Sequence, residues 1–274
     1  MTLVLSILFG WAFDRAQMVM SAPNYNSPWN GFGCIDLVNK REARAPMAYR
    51  VLVPWLVALI EGSKARISRV TIYSALKLAG VVYAFYAVSG WIGMPGALIV
   101  FMLLLVTVQY DYWDWTFELG GLALAMSGNI WLTIVGMLLW LASRETWPLA
   151  PVAYWLVSHE TYWAFMVLML GAFFYILLHM YIGKRALYCK RFMIRENWNL
   201  VKMIYKYEPV FYVPALASII LTVIVIASVI KLPLGWPLPL VILAAGWTMG
   251  KADEPRIFSA ALPWAAIWLL EVMK

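Results

Sequence analysis

The sequence has 274 residues, of which 64% are hydrophobic and 13% are charged, and its formal net charge is +7 at pH 7. A soluble globular domain has about 25% charged residues, so this composition excludes that class. Long apolar runs recur, whereas the alternating ten-residue segments typical of a transmembrane β-barrel are absent. We therefore predict an all-α fold, a polytopic transmembrane helix bundle that forms a single integral membrane domain over residues 1–274.

The first predicted element is an apolar helix that runs from the N-terminus to about Met20. It resembles the hydrophobic part of a signal peptide, but no small-residue cleavage site follows, so we expect it to be retained. Asp14 and Arg15 are then expected to face the interior of the bundle.

Four further apolar runs come close to or exceed the ~20 residues that a helix needs to cross a hydrocarbon core of about 30 Å. These predicted spans are residues 68–90, 97–110, 161–182 and 209–230.

Other apolar runs are too short to cross. Residues 51–60 are ten in number, include Pro54 and reach only about 15 Å as a helix, which predicts a juxtamembrane helix lying along the interface. An alternative counts 47–61 as a span. Residues 116–142 form either one long span or two short helices, and the SGN turn signal at 127–129 favours a helical hairpin. Residues 147–158 and 240–249 are short segments beside prolines. Such short or re-entrant helices indicate a cavity open to one membrane face.

The basic residues predict the orientation of the chain. Seven of the 21 lie between residues 184 and 206: Lys184, Arg185, Lys190, Arg191, Arg195, Lys202 and Lys206. In a membrane protein this density is typical of a cytoplasmic loop, here 183–208, with an amphipathic interfacial helix at 194–206 near anionic lipid. We therefore expect membrane lipids, and no nucleic acid, as partners.

Counting spans back from that loop makes residues 21–67 an external loop. Lys64, Arg66 and Arg69 then lie outside, against the positive-inside tendency. The alternative with a span at 47–61 moves DYWDWTFE to the cytoplasm instead. In the preferred arrangement Cys34 and Cys189 face opposite sides of the bilayer, so no disulfide is predicted.

Charged residues within apolar segments are expensive and indicate candidate functional groups. Asp111, Asp114 and Glu118 are spaced i, i+3 and i+7, so on a helix they share one face. Oxygen ligands of this kind suit Mg²⁺ or Mn²⁺, which predicts a metal site. The alternative is a solvated helix start, where acidic residues are favoured by the helix dipole.

Arg144 and Glu145 follow an apolar run in SRETW. They form either a local ion pair or a site in which the guanidinium binds a phosphate, and the same alternatives apply to Arg50 and Arg256. His159 and Glu160 are a candidate proton-transfer pair, although sequence neighbours point in different directions on a helix. His179 is expected to be a helix-end histidine bonded within the bundle.

YRVLVPWL, YDYW with an acid a few residues later, RET and EPRIFSAALPW occur in this order along most of the chain. The pattern resembles that of bacterial and archaeal membrane proteins similar to the GT-C superfamily of polytopic glycosyltransferases. The resemblance implies transfer of a sugar from a polyprenyl-phosphate carrier to an acceptor on the extracytoplasmic side of a prokaryotic cytoplasmic membrane. It also implies an essential acid in the first external loop, which matches Asp36, with Asp14 second.

On this interpretation Asp36 is the catalytic base, and Arg50 and Arg144 stabilise the departing polyprenyl phosphate. Glu145, His159 and Arg256 are further candidate substrate-binding residues. For Arg50 the alternative is a side chain that extends from a helix end to the headgroups. The competing function is a non-catalytic membrane subunit of a larger complex, with partner membrane subunits, or a small-solute transporter.

Overall fold

The computed structural model describes residues 2–21, 35–40, 51–63, 67–107, 114–144, 146–182, 198–199, 213–231, 237–249 and 259–273. Within these ranges the fold is helical and contains no strand, which confirms the all-α class. The helices are α1 (Thr2–Ser21), α2 (Ile35–Asn39), α3 (Leu52–Gly62), α4 (Arg69–Thr107), α5 (Asp114–Ala125), α6 (Ile130–Leu141), α7 (Leu149–Ser158), α8 (Thr161–Ile182), α9 (Val213–Lys231), α10 (Pro237–Met249) and α11 (Leu262–Val272).

The chain divides into two compact units. Unit 1 comprises residues 1–91 and 110–189, and unit 2 comprises residues 92–109 and 190–274. Helix α4 contributes to both and changes direction at Gly93, whose φ of 76° is accessible to glycine at little steric cost. The predicted spans 68–90 and 97–110 therefore fall on the two sides of this kink, with 108–110 outside the described residues.

Among the described residues, two helices are long and apolar enough to cross a membrane, Arg69–Leu105 and Thr161–Ile182. The second is α8, which matches the predicted span 161–182. Many of its large apolar side chains point away from the protein, including Phe165, Met169, Phe173 and Ile176. In water this would be an unusually long exposed apolar surface.

In unit 1, α5 and α6 form the predicted helical hairpin. The turn between them ends at Asn129, whose side chain accepts hydrogen bonds from the backbone N–H groups of Trp131 and Leu132 and caps α6. Gly121 and Gly136 allow the two backbones to touch, because a β-carbon on Gly121 would lie 2.8 Å from the Gly136 carbonyl oxygen. The close approach fixes the position of α5 and of the acids in its first turns.

The predicted short helices at 51–60 and 147–158 are α3 and α7. Helix α3 is joined to α2, because the Asn39 side chain donates a hydrogen bond to the Pro54 carbonyl (3.1 Å). The Leu52 N–H donates to the Ala142 carbonyl (3.0 Å), which attaches α3 to the segment after α6. Helix α7 ends at His159, whose backbone is left-handed (φ 58°).

Helix α1 confirms the predicted N-terminal helix and runs alongside the first half of α4. Phe9 stacks on Phe85 at 4.6 Å, and Phe13 lies against Trp115 of α5 at 5.7 Å between ring centroids. Asp14 is buried as expected, but Arg15 is exposed, so the expectation of two inward charges is wrong for Arg15.

In unit 2, α9 packs against α10 and α11. The Trp247 indole donates a hydrogen bond to Thr222 (2.9 Å), and Trp264 is buried at the start of α11. Helix α9 corresponds to the predicted span 209–230 and α10 to the short segment 240–249. The predicted interfacial helix 194–206 lies outside the described residues except for 198–199.

Candidate functional site

Five charged side chains are buried in the described part of the chain: Asp14, Lys77, Asp114, Glu118 and Arg144. All five belong to unit 1. Removing an ion from water costs several kcal/mol even after relaxation, so each of these groups requires a compensating interaction. Their contacts define the strongest candidate site.

Arg144 lies between two acids of α5. Its guanidinium donates through Nη1 to Oε2 of Glu118, and its Nε lies 3.6 Å from Oδ2 of Asp114. Asp114 and Glu118 are four residues apart in the first turns of α5, so they share one face of that helix. The segment after α6 returns Arg144 to this face.

A short hydrogen-bond chain supports the same carboxylate. Thr146 Oγ1 donates to Oε1 of Glu118 (2.8 Å), and the Trp140 indole N–H donates to Thr146 Oγ1 (3.0 Å). Both oxygens of Glu118 therefore accept hydrogen bonds. We call Asp114, Glu118, Arg144 and Thr146 the Arg144 cluster.

A second buried ion pair joins α1 to α4. Lys77 Nζ lies 2.9 Å from Oδ1 of Asp14, and both side chains are almost inaccessible to solvent. Phe13 and Trp115, the neighbours of Asp14 and Asp114 in sequence, pack together. The aromatic contact connects this Asp14–Lys77 pair to the α5 end of the Arg144 cluster.

The predicted metal site is only partly described, because Asp111 lies outside the described residues. No group of three or more metal-binding side chains occurs among the residues that the structure describes. Asp114 and Glu118 do lie together, but the guanidinium of Arg144 contacts both. In this arrangement the Arg144 guanidinium occupies both carboxylates, and a bound Mg²⁺ or Mn²⁺ ion would have to displace it. The metal site stays a prediction.

Asp36, the predicted base, lies on the exposed side of α2 rather than among these buried groups. Its carboxylate accepts from Nη1 of Arg69 at 2.6 Å. Arg69 also binds Glu61 through two hydrogen bonds, of 2.6 and 2.9 Å. We call Asp36, Glu61 and Arg69 the Arg69 triad.

His159 and Glu160 occupy the turn between α7 and α8, and both are exposed. Glu160 accepts a hydrogen bond from the Tyr154 hydroxyl (2.7 Å), while the His159 backbone N–H closes α7. Burial and this hydrogen bond to Glu160 raise the pKa of the Tyr154 phenol. Glu160 is thus oriented by tyrosine, and a proton-transfer pair with His159 remains a prediction. His179 lies against Tyr175 within α8, with ring centroids 4.3 Å apart.

Four candidate residues fall outside the described part of the chain: Arg50, Asp111, Glu145 and Arg256. Lys77 and Thr146 were not among the predicted site residues. Lys77 did carry a signal, since it is a lone cation in the long apolar run 70–90, where a charge requires a partner. Thr146 is the last residue of the RET motif, but no role was predicted for its hydroxyl.

No protein-family model, curated protein or solved structure matches this chain.

Proposed function

We propose that the chain is a polytopic membrane protein similar to GT-C glycosyltransferases, which moves a sugar from a polyprenyl-phosphate donor to an acceptor on the extracytoplasmic face. Asp36 acts as the base that accepts the acceptor's proton. Arg50 neutralises the departing phosphate, and Arg144, whose guanidinium contacts Glu118 and Asp114, positions the segment after α6. The setting is the cytoplasmic membrane of a prokaryote.

The observation that carries this proposal is the meeting of two distant motifs. The acid that follows YDYW is Glu118, and the arginine of RET is Arg144, 26 residues later. The two side chains share a buried hydrogen bond, so the acid after YDYW and the arginine of RET lie together although they are far apart in sequence. Buried ion pairs of this kind are weak sources of net stability. The role proposed for this one is to position the segment after α6 against α5.

The exposed surface of unit 1 supports a membrane setting. Apolar side chains cover the outer face of α8 along its length, and the two long helices have the length and composition of spans. Such a surface is favourable in lipid and costly in water.

The enzymatic test uses purified protein and a panel of polyprenyl-phosphate sugars. Asp36→Asn keeps the shape of the side chain but removes the proton acceptor, so donor binding should persist while turnover falls by ~10²–10⁴-fold. Arg50→Lys keeps the charge but loses the two-pronged guanidinium, so both binding and turnover should fall.

Glu61→Gln is the matched control. It removes the other carboxylate bound to Arg69 and perturbs the same triad, but leaves Asp36 ionisable. Turnover should therefore remain within a few-fold of the native rate. Equal losses in Asp36→Asn and Glu61→Gln would assign Asp36 to the ion-pair network and remove it from catalysis.

One observation favours the alternative of a non-catalytic membrane subunit. The acids of the Arg144 cluster and of the Arg69 triad all contact arginine, as expected when charges hold helices together. Absence of donor binding across the whole panel, with Glu118 and Arg144 still required for a stable fold, would support this second function.

A further inference from the structure

The contacts of α3 show which parts of unit 1 lie at the same end as the C-terminus of α8. The Trp55 ring of α3 meets the Tyr181 ring edge-on, with centroids 5.5 Å apart and planes at 89°. Tyr181 is the penultimate residue of α8. Helix α3 is also tied to α2 through Asn39, and Arg69 at the start of α4 binds Asp36 and Glu61. Thus α2, α3 and the start of α4 lie where α8 ends.

The opposite end of unit 1 is formed by two turns. Gly128, in the turn between α5 and α6, lies beside Val157 near the end of α7. His159 and Glu160 then lead directly into Thr161, the first residue of α8. The turns at 127–129 and 159–160 therefore lie where α8 begins.

Exposed aromatic side chains mark both ends. Trp131, Trp155, Tyr162 and Trp163 are exposed beside the two turns, while Trp55 and Tyr181 are exposed at the other end. Tryptophan and tyrosine prefer the membrane–water interfaces. Tyr162 and Tyr181 are 19 positions apart in one helix, which is about 28 Å at 1.5 Å per residue and close to the ~30 Å hydrocarbon thickness.

From these contacts we infer that α3 and the C-terminal end of α8 form one interfacial surface that lies in the phospholipid headgroup layer of a single leaflet. The turns at 127–129 and 159–160 lie at the other leaflet. The inference rests on the membrane setting of the proposed function and adds its lipid-contacting surfaces. The Arg144 cluster lies between them, since Trp147, three residues from Arg144, packs on Tyr175 within α8 at 5.9 Å.

This arrangement differs from the sequence-based expectation, which put residues 21–67 and the segment after residue 182 on opposite faces. With a shared face, Asp36 of α2 and Arg69 of α4 lie at the same end of unit 1 as the C-terminal end of α8.

Cysteine labelling in sealed membrane vesicles, prepared separately as right-side-out and inside-out vesicles, tests the arrangement. An impermeant maleimide reports on Lys40→Cys at the end of α2 and on Ser127→Cys in the α5–α6 turn, each in a Cys34→Ser, Cys189→Ser background. A Cys34→Ser variant keeps native Cys189 as the reporter after α8. Lys40 and Ser127 are both exposed, so neither change disturbs the core.

We expect the Lys40→Cys protein and native Cys189 to react from one side, and the Ser127→Cys protein from the other. Reaction of the first two from opposite sides would overturn the inference while leaving the membrane setting intact. Reaction of all three from both sides would remove the membrane setting itself, so the two failures are distinguishable.

Spin labels test the depth of α3. Leu59→Cys places a label at a position of α3 whose side chain is 71% exposed, and Met169→Cys places one on the exposed middle of α8. In bilayers of phosphatidylcholine and phosphatidylglycerol, the Leu59→Cys label should collide with a water-soluble nickel complex several-fold more often, relative to oxygen, than the Met169→Cys label. Equal ratios at the two positions would rule out an interfacial α3.

Discussion

Two regions of unit 1 have the same chemical composition in different surroundings. In each, one arginine contacts one aspartate and one glutamate: Arg144 with Asp114 and Glu118, and Arg69 with Asp36 and Glu61. The Arg144 side chain is 9% exposed and its acids are 1–3% exposed, whereas the Arg69 side chain is 36% exposed and its acids are 28–54% exposed. Burial is therefore the variable that separates the two arrangements.

The comparison shows why equal contacts need not have equal importance. In the Arg144 cluster each charge has lost its water, so the removal of one partner leaves the others in an unfavourable environment. In the Arg69 triad, water and salt ions can solvate a charge that has lost its partner. Forming the ion pair there also costs side-chain entropy, which weakens the contact. The two sites should respond to substitution by amounts that differ several-fold.

The largest effect is expected for Arg144→Met, because it removes the cation that contacts two buried carboxylates. We expect the free energy of unfolding to fall by about 3–5 kcal/mol. Denaturant titration of the purified protein in detergent measures this. Arg69→Met is the matched control and should cost no more than about 1 kcal/mol. Equal costs at the two arginines would show that the cluster is solvated.

A slightly smaller effect is expected at the Asp14–Lys77 pair, where only one carboxylate loses its cation. Lys77→Met should reduce the free energy of unfolding by about 3 kcal/mol, measured in the same titration. The double variant Asp14→Leu with Lys77→Met removes both charges and should be more stable than Lys77→Met alone. A double variant that loses the sum of the two single costs would contradict a coupled pair.

Thr146→Val sharpens the comparison within the Arg144 cluster. The isosteric change removes the hydrogen bond that the hydroxyl donates to the Glu118 carboxylate and the acceptor of the Trp140 indole, and leaves the guanidinium contact in place. The expected loss is about 2 kcal/mol, within the range for a hydrogen bond to a charged group. Thr161→Val, which removes an exposed acceptor of the Trp155 indole, is the control and should have a smaller effect.

Much of the helical fold could be predicted from the sequence, because its signals are local. Apolar run length predicted α1, α8 and the short α3, and the SGN turn signal predicted the α5–α6 hairpin. Tertiary pairing has no comparable signal. Asp114 and Glu118 were grouped by helical spacing, but their pairing with Arg144 depends on how the segment after α6 returns to α5. The Asp36–Arg69 contact likewise spans 33 positions that no local pattern connects.

The smallest effects are expected within the Arg69 triad, where geometry alone distinguishes the two acids. Glu61 receives two hydrogen bonds from Arg69, at Nε and Nη2, whereas Asp36 receives one at Nη1 and is more exposed. Glu61→Gln should therefore cost more than Asp36→Asn, with both losses below about 1 kcal/mol. Unfolding titrations at low and high salt measure the difference. Because salt screens exposed charges, the costs should shrink as salt rises, whereas the cost of Arg144→Met should change little. A salt-independent loss at Asp36 would mean that its carboxylate is shielded from solvent and belongs with the buried groups.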